Sequence, residues 1–136
     1  MSPRLEIAVV GAHMSGLPLN GELLALEASF LRTARTMPCY RLYRLPGGPP
    51  ERPGLLRVAP GAGHAIALEV WSLPLARIGA LLAAIPAPLG LGTLLLEDGG
   101  TPKGFLVEAE GIRQAEDISD SGGWRAWLAR RDRAPA

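Results

Sequence analysis

Cysteine and histidine are scarce in this sequence. Cys39 is the one cysteine among the 136 residues, and His13 and His64 are the two histidines. A single cysteine excludes an internal disulfide and any cysteine-based zinc cage. Because the two histidines lie far apart in the sequence, we expect no metal site, and we expect no other cofactor.

An excess of charge of one sign is also absent. Fourteen Lys and Arg residues stand against thirteen Asp and Glu residues, which leaves a formal charge of +1. A nucleic-acid-binding module needs a basic stripe that neutralises phosphates, so we expect no nucleic-acid partner. No apolar run approaches the roughly 20 residues that cross a bilayer, and the run 7–12 is too short for a secretory signal. We therefore expect a soluble, cytoplasmic protein without a membrane partner.

Glycine and proline, in contrast, are abundant. They supply 17 and 13 of the 136 residues, well above their ordinary combined share of roughly 12%. This frequency is typical of many turns between short elements. With 48% hydrophobic and 20% charged residues, the chain is long enough to bury one core. We expect a single domain over residues 1–131 and a loose polar tail over residues 132–136.

Apolar periodicity predicts six strands and three helices. The strands are predicted at 5–10, 40–45, 55–58, 65–73, 93–96 and 104–107. The helices are predicted at about 21–35, 74–85 and 123–131, the first of them capped by Asn20. Two strand pairs are predicted to form hairpins, 55–58 with 65–73 and 93–96 with 104–107.

The order of these elements, β-α-β-β-β-α-β-β-α, predicts an α+β fold. Strands that are joined as hairpins need an antiparallel or mixed sheet, and the helices must cover it. Glycine and proline at the strand ends favour a sheet that curls into a small β-barrel with flanking helices.

The loop 11–20 carries the richest group of candidate site residues. It follows a buried strand and leads into a helix, where backbone N–H groups bind carboxylates or phosphates. His13 is the candidate catalytic residue, because its imidazole can give and take a proton near neutral pH. The alternative is a structural histidine that is hydrogen-bonded at the strand end. The candidates for substrate binding in this loop are Gly11, Ala12, Met14, Ser15 and Gly16.

Three charged residues on predicted strands complete the candidate site. Glu69 interrupts an apolar strand, so it is either paired with a cation or aimed into a cavity. Its candidate partners are Arg41, Lys103 and Arg57. Arg41 could bind a carboxylate through its guanidinium fork, and Lys103 begins a strand where it could hold an anion. We predict that Glu69, Arg41 and Lys103 bind substrate, against the alternative that each lies on a solvated surface.

Several stretches of the sequence are similar to one known family. They are 11–20 (GAHMSGLPLN), 40–43 (YRLY) with 45–54 (LPGGPPERPG), 68–74 (LEVWSLP), 85–93 (IPAPLGLGT), 103–105 (KGF), 117–119 (DIS) and 122–125 (GGWR). Over about residues 5–130 the chain resembles the C-terminal domain of allophanate hydrolase. The resemblance implies a γ-glutamyl cyclotransferase-like fold, which is a small barrel with flanking helices.

The resemblance also implies an activity. In that family the domain follows an amidase domain, which releases ammonia from allophanate and leaves N-carboxycarbamate. The C-terminal domain is assigned the decarboxylation of that product, in urea and allophanate nitrogen metabolism, and His13 matches its proposed catalytic histidine. As an imidazolium, His13 would donate a proton to the nitrogen that loses carbon dioxide, while the loop amides with Arg41 or Lys103 anchor a carboxylate.

Two features depart from the patterns of these families. The sequence contains no amidase domain, so we expect the chain to act with a separate amidase rather than to hydrolyse allophanate by itself. Cyclotransferases carry a catalytic acid in the helix after the strand that holds Glu69, whereas residues 81–88 contain no carboxylate. Cyclotransferase activity is therefore not expected.

Two non-catalytic functions fit the same residues. The domain could be an accessory module that binds a separate amidase through the loop 45–54 and a face of Trp124, Trp127 and Leu128. The same tryptophans are first of all candidates for the core. The domain could also bind a small carboxylate without converting it. The sequence leaves open whether copies of the chain form a homo-oligomer.

Overall fold

The computed structural model describes residues 3–133, which form strands, helices and three 3₁₀ turns. The strands are β1 (Arg4–Val9), β2 (Ser29–Arg35), β3 (Tyr40–Arg44), β4 (Pro53–Arg57), β5 (Ala67–Pro74), β6 (Leu89–Thr93), β7 (Lys103–Val107) and β8 (Glu116–Asp117). The helices are α1 (Asn20–Ala25), α2 (Ile78–Ala83) and α3 (Trp124–Arg133). The 3₁₀ turns are Leu75–Arg77, Ala109–Ile112 and Ser119–Ser121.

Strand β1 occupies the centre of a five-stranded sheet with the order β2-β5-β1-β7-β6. It pairs antiparallel with β5, where Val9 lies opposite Glu69, and parallel with β7, where Ala8 lies opposite Gly104. The apolar run of β1 explains this central place, because Ile7, Ala8 and Val9 are buried. Since β1 and β7 are parallel, both run toward the edge of the sheet at which the loop 11–19 begins.

A second, three-stranded sheet has the order β4-β3-β8. Its main pair is the antiparallel hairpin of β3 and β4, whose register runs from Tyr40 opposite Arg57 to Arg44 opposite Pro53. The α+β class and the mixed sheet are confirmed. The two sheets are not closed into a barrel, so that detail of the prediction is wrong.

The predicted helix at 21–35 is also wrong. Helix α1 ends at Ala25 because Glu27 adopts a left-handed conformation with φ of +63°. The amide of Glu27 donates to the carbonyl of Leu24 and that of Ala28 to the carbonyl of Leu23, which is the Schellman pattern that ends a helix. The following residues, Ser29–Arg35, then pair with β5 as the edge strand β2.

The two predicted hairpins have different outcomes. Strand β4 pairs with β3, whereas β5 pairs with β1 and β2, so the predicted hairpin of 55–58 with 65–73 is wrong. The other hairpin exists between β6 and β7. Its first strand spans Leu89–Thr93 instead of 93–96, because Leu94 and Leu96 lead away from the strand into the core.

The two tryptophans of α3 belong to the core. Trp124 and Trp127 stack with their ring centroids 4.9 Å apart, and both side chains are buried. The alternative that they form an exposed contact face is therefore wrong. Helix α3 runs to Arg133, two residues into the predicted tail. The rest of that tail, residues 134–136, lies outside the described residues.

Candidate functional site

The loop that follows β1 is folded back on itself by its own backbone. The amide of Met14 donates to the carbonyl of Gly11 at 3.0 Å, and the amide of Leu19 donates to the carbonyl of Ala12 at 2.8 Å. Asn20 does not cap α1 through its side chain, as the sequence predicted. Its amide group instead donates to the carbonyl oxygen of His13 at 2.9 Å. The loop is therefore held at both ends around His13.

Gly11 has a packing role in this loop. A Cβ atom at residue 11 would lie 2.4 Å from Cδ of Pro53, the first residue of β4. That distance is far below van der Waals contact, so only glycine lets the loop approach the second sheet. Gly16, with φ of +76°, supplies a left-handed turn on the open side of the loop.

The imidazole of His13 is buried and has specific neighbours on two sides. Its Nε2 atom lies 3.0 Å from Oε1 of Glu22, in the first turn of α1. The ring stacks on Phe105 of β7, with centroids 5.0 Å apart and planes inclined by 13°. The sequence predicted a titratable residue here, but it indicated neither the carboxylate nor the aromatic ring.

Burial lowers the pKa of His13 below its ordinary value of 6.5. The nearby charge of Arg52 also lowers this pKa, whereas the hydrogen bond and the charge of Glu22 raise it. The ring is therefore neutral in the unliganded protein at pH 7. The predicted role of His13 as an imidazolium that donates a proton therefore requires the ring to take up a proton first.

Two cavities meet near His13. A small one of about 20 Å³ is lined by the loop residues Gly11, Ala12 and His13 together with Phe105 and Arg52. It has room for about one water molecule, so the expected hollow above the loop is nearly filled by side chains. A cleft of about 660 Å³ adjoins it, and Arg52 and Leu89 line both spaces. The cleft is walled by loop 45–50, by residues 86–88 and by the turn around Gly111.

Arg52 is the basic residue that lines both of these cavities, and its charge acts on His13. It is half-buried, and the neighbouring carboxylate of Glu51 is paired with Arg44 and Arg131 instead. Within residues 3–133, the guanidinium group of Arg52 makes no ion pair with a protein carboxylate. A half-buried guanidinium group in the wall of a cleft is suited to bind a carboxylate.

The loop amides are only partly available for a ligand. The amide of Met14 is bonded to Gly11, and that of Ser15 donates to Oε1 of Glu69 at 2.9 Å. Met14 itself is buried in the core. Among the loop residues that line the small cavity, Gly11, Ala12 and His13 have amides that donate to no other protein group in the described chain. The amide of Gly16 is unbonded too, but Gly16 does not line this cavity.

Glu69 lies on the other side of the loop, where it is fully engaged. Its Oε1 atom accepts hydrogen bonds from the amide and hydroxyl of Ser15 and from the indole of Trp71. Its Oε2 atom accepts a bond of 2.9 Å from Arg125. Burial opposes ionisation, but these donors outweigh it and hold the pKa of Glu69 below its ordinary value. The predicted cation partners Arg41, Lys103 and Arg57 are therefore wrong, and the partner is Arg125.

Arg41 and Lys103 lie away from His13. Arg41 pairs with Asp117 of β8 at 2.7 Å, and Lys103 donates to the hydroxyl of Thr93 at 2.8 Å. Neither residue lines the two cavities near His13. The structure therefore brings together His13, Gly11 and Ala12 from the predicted set, and it adds Glu22, Arg52 and Phe105.

Residues 3–133 offer neither a metal-binding cluster nor a membrane-spanning helix. No cluster of three or more His, Cys, Asp or Glu side chains is arranged to hold a metal ion there. No helix in that part of the chain is long and apolar enough to cross a membrane.

Comparisons with known proteins show what the chain is similar to. The family model of the allophanate hydrolase C-terminal domain matches residues 5–129. Urea amidolyase of Saccharomyces cerevisiae is 42% identical over 130 residues, which are 93% of this chain and 7% of the relative. Allophanate hydrolase of Kluyveromyces lactis superposes with a TM-score of 0.91 at 39% identity, covering 95% of this chain and 22% of that one. The chain thus spans a small part of both relatives.

A second solved structure is matched over almost its whole length. The uropathogenic E. coli-specific protein c4763 superposes with a TM-score of 0.86 at 35% identity, covering 93% of this chain and 97% of that chain. A γ-glutamyl cyclotransferase superposes with a TM-score of 0.58 at 12% identity, over 85% of this chain and 70% of that chain. This last likeness shows the fold alone, and it confirms the predicted cyclotransferase-like architecture.

Proposed function

Because the chain belongs to the family of allophanate hydrolase C-terminal domains, we propose that it decarboxylates N-carboxycarbamate, the product that an amidase leaves from allophanate. This would place it in urea and allophanate nitrogen metabolism. The observation that carries the proposal is that one small cavity is lined both by the buried His13 and by Arg52, which has no ion-pair partner among residues 3–133. The two groups match what this substrate needs.

The chemistry requires one proton and one anchor. N-carboxycarbamate carries two carboxylates on one nitrogen. When the bond from nitrogen to one carboxyl carbon breaks, the electron pair stays on nitrogen and carbon dioxide leaves. A proton delivered to that nitrogen at the same time gives carbamate and prevents the build-up of negative charge.

His13 is the proposed proton donor and Arg52 the proposed anchor. A dianion bound beside Arg52 would offset the charge of the guanidinium group and favour a protonated His13 ring. The protonated ring then donates to nitrogen and takes up a new proton from water before the next cycle. The cavity of about 20 Å³ does not hold the whole substrate, so Arg52 and Leu89, which divide it from the cleft, must move when substrate enters.

The test supplies N-carboxycarbamate from allophanate through a separate amidase and measures carbon dioxide release above the uncatalysed rate. The wild-type domain should accelerate release, and His13→Ala should lower kcat by about a hundredfold. Arg52→Ala should raise KM about tenfold, since it removes a charge-assisted hydrogen bond. Arg57→Ala, in which an arginine stacked over Tyr40 is lost, is the matched control. Equal release with and without the domain would overturn the proposal.

Association with an amidase is a second function that the comparisons favour. This chain corresponds to 7% of the yeast urea amidolyase and 22% of the K. lactis allophanate hydrolase, so its relatives are parts of longer chains. We propose that the loop 45–54, which walls the cleft, contacts an amidase part. Co-purification from native lysate tests this, and a domain that elutes without an amidase would contradict it.

A further inference from the structure

The contact between His13 and Glu22 joins the loop to helix α1. The Nε2 atom of His13 and the Oε1 atom of Glu22 are 3.0 Å apart. The backbone carbonyl of His13 is held by the side chain of Asn20, two residues before Glu22. Both ends of the histidine are therefore fixed by one turn of α1, which sets the direction of the ring.

The second ring nitrogen of His13 remains open. Within the described residues, Nδ1 has no protein hydrogen-bond partner, and no buried side-chain nitrogen or oxygen lacks one. The Nδ1 atom must therefore reach accessible space, and His13 is one of the residues that line the small cavity. A ring that donates a proton from Nε2 to a carboxylate presents an unprotonated Nδ1.

Charged groups act on this ring from two directions. Arg52, just before β4, disfavours a protonated ring, and Glu22 of α1 favours it. Phe105, which covers one face from β7, carries no charge. Glu22 is thus the group that offsets the effects of burial and of Arg52. Its side chain is 49% exposed, so solvent reduces the size of its influence.

We propose that Glu22 is a positioning residue that fixes the proton of neutral His13 on Nε2 and leaves Nδ1 as the atom that exchanges a proton with the ligand. This rests on the proposed function of His13. Proton uptake at Nδ1 gives an imidazolium whose Nε2–H is bonded to Glu22. Transfer from Nδ1 to the substrate nitrogen then returns the neutral ring in its original tautomer, so no reorientation separates two cycles.

The first test reads the histidine directly by NMR of ¹⁵N-labelled protein, with His64 as the reference ring. Wild-type protein should show the Nε2–H tautomer for His13. Glu22→Gln should mix the two tautomers, because an amide can either accept or donate, and should lower the pKa of His13 further because the charge that raises it is lost. Glu27→Gln, which removes a carboxylate paired with Arg77, is the matched control. An Nδ1–H tautomer in wild type, or no change in Glu22→Gln, would overturn the proposal.

The second test uses the decarboxylation assay. In the plot of kcat/KM against pH, Glu22→Gln should move the decrease at high pH (the high-pH limb) to lower pH. It should reduce kcat/KM at pH 7 by about threefold. Glu22→Asp should restore the position of that limb in part. If the domain gives no acceleration at all while the NMR result holds, the proposed function fails and the role of Glu22 in holding the ring stands. If the domain accelerates release but Glu22→Gln leaves the limb unmoved, the role of Glu22 fails alone.

Discussion

The imidazole of His13 lies nearly parallel to the phenyl ring of Phe105, with the two centroids 5.0 Å apart. The contact depends on the parallel pairing of β1 with β7, which brings Phe105 in the middle of β7 beside the loop that follows β1. Phe105 therefore keeps water from one face of the ring and contributes to its burial, and burial is the main cause of the lowered pKa of His13.

Replacement of this ring tests that cause. Phe105→Leu should raise the pKa of His13 toward 6.5 and lower the free energy of unfolding by about 1–2 kcal/mol. NMR titration and urea unfolding measure the two quantities. Phe30→Leu is the control, because Phe30 is 48% exposed on β2 and packs edge-on against Trp71. A pKa of His13 that responds equally to both changes would contradict the interpretation.

The network of Glu69 makes stability depend on pH. Its pKa is lower in the folded protein than its ordinary value of 4.5, so the native state binds a proton less readily than the unfolded state. The stabilisation is therefore complete above pH 4.5 and is lost as the pH falls through the folded pKa. Glu69→Gln should lower the free energy of unfolding at pH 7 by about 2 kcal/mol and flatten its decrease in acid.

The control for this change is Glu97→Gln. Glu97 faces Arg35 at 3.8 Å with half of its side chain exposed, so its removal should alter stability by less than about 0.5 kcal/mol. Denaturant titrations between pH 3 and pH 7 compare both variants with wild type. Parallel pH curves for wild type and Glu69→Gln would show that Glu69 contributes nothing to the acid limb.

Two glycines with different surroundings should respond in opposite ways to alanine. Gly11→Ala forces a methyl group against Pro53 and should cost about 1–3 kcal/mol. Gly21, in α1, has open space where a Cβ would lie, so Gly21→Ala should stabilise by up to about 1 kcal/mol. Thermal or urea unfolding of both variants checks the prediction. Equal losses in the two would mean that the contact with Pro53 is not limiting.

Local sequence patterns were sufficient for some elements only. The continuous apolar run of β1 and the alternation in β3 predict strands that the structure contains. The prediction of a helix at 21–35 relied on an apolar spacing that fits a helix. The helix ends early because Glu27 adopts a left-handed conformation. Glycine usually occupies such a position, so a glutamate there gives no sequence signal for the helix end. The pairing of β2 with β5 then determines the conformation of residues 29–35. The local sequence does not indicate this partner strand.

The candidate site was predictable at its centre and not at its periphery. His13 is identifiable because it is the titratable residue of a loop between a strand and a helix. Its neighbours Arg52 and Phe105 come from distant positions, so the topology alone brings them to it. Glu22 lies close to His13 in the sequence. A carboxylate in the first turn of a helix is expected to interact with the helix dipole, so this position did not indicate a contact with His13. Arg52 follows Pro50 and Glu51 and precedes Pro53, and nothing in this stretch of sequence indicates a role for it beyond its charge.

The central place of β1 constrains how the chain can be made. This strand is synthesised before both of its neighbours: its antiparallel neighbour β5 follows some sixty residues later, and its parallel neighbour β7 only at Lys103–Val107. One edge of β1, with its buried residues, therefore stays unpaired until β7 has been synthesised. Nascent chains arrested before residue 103 should consequently be bound by chaperones, and release should coincide with the emergence of β7.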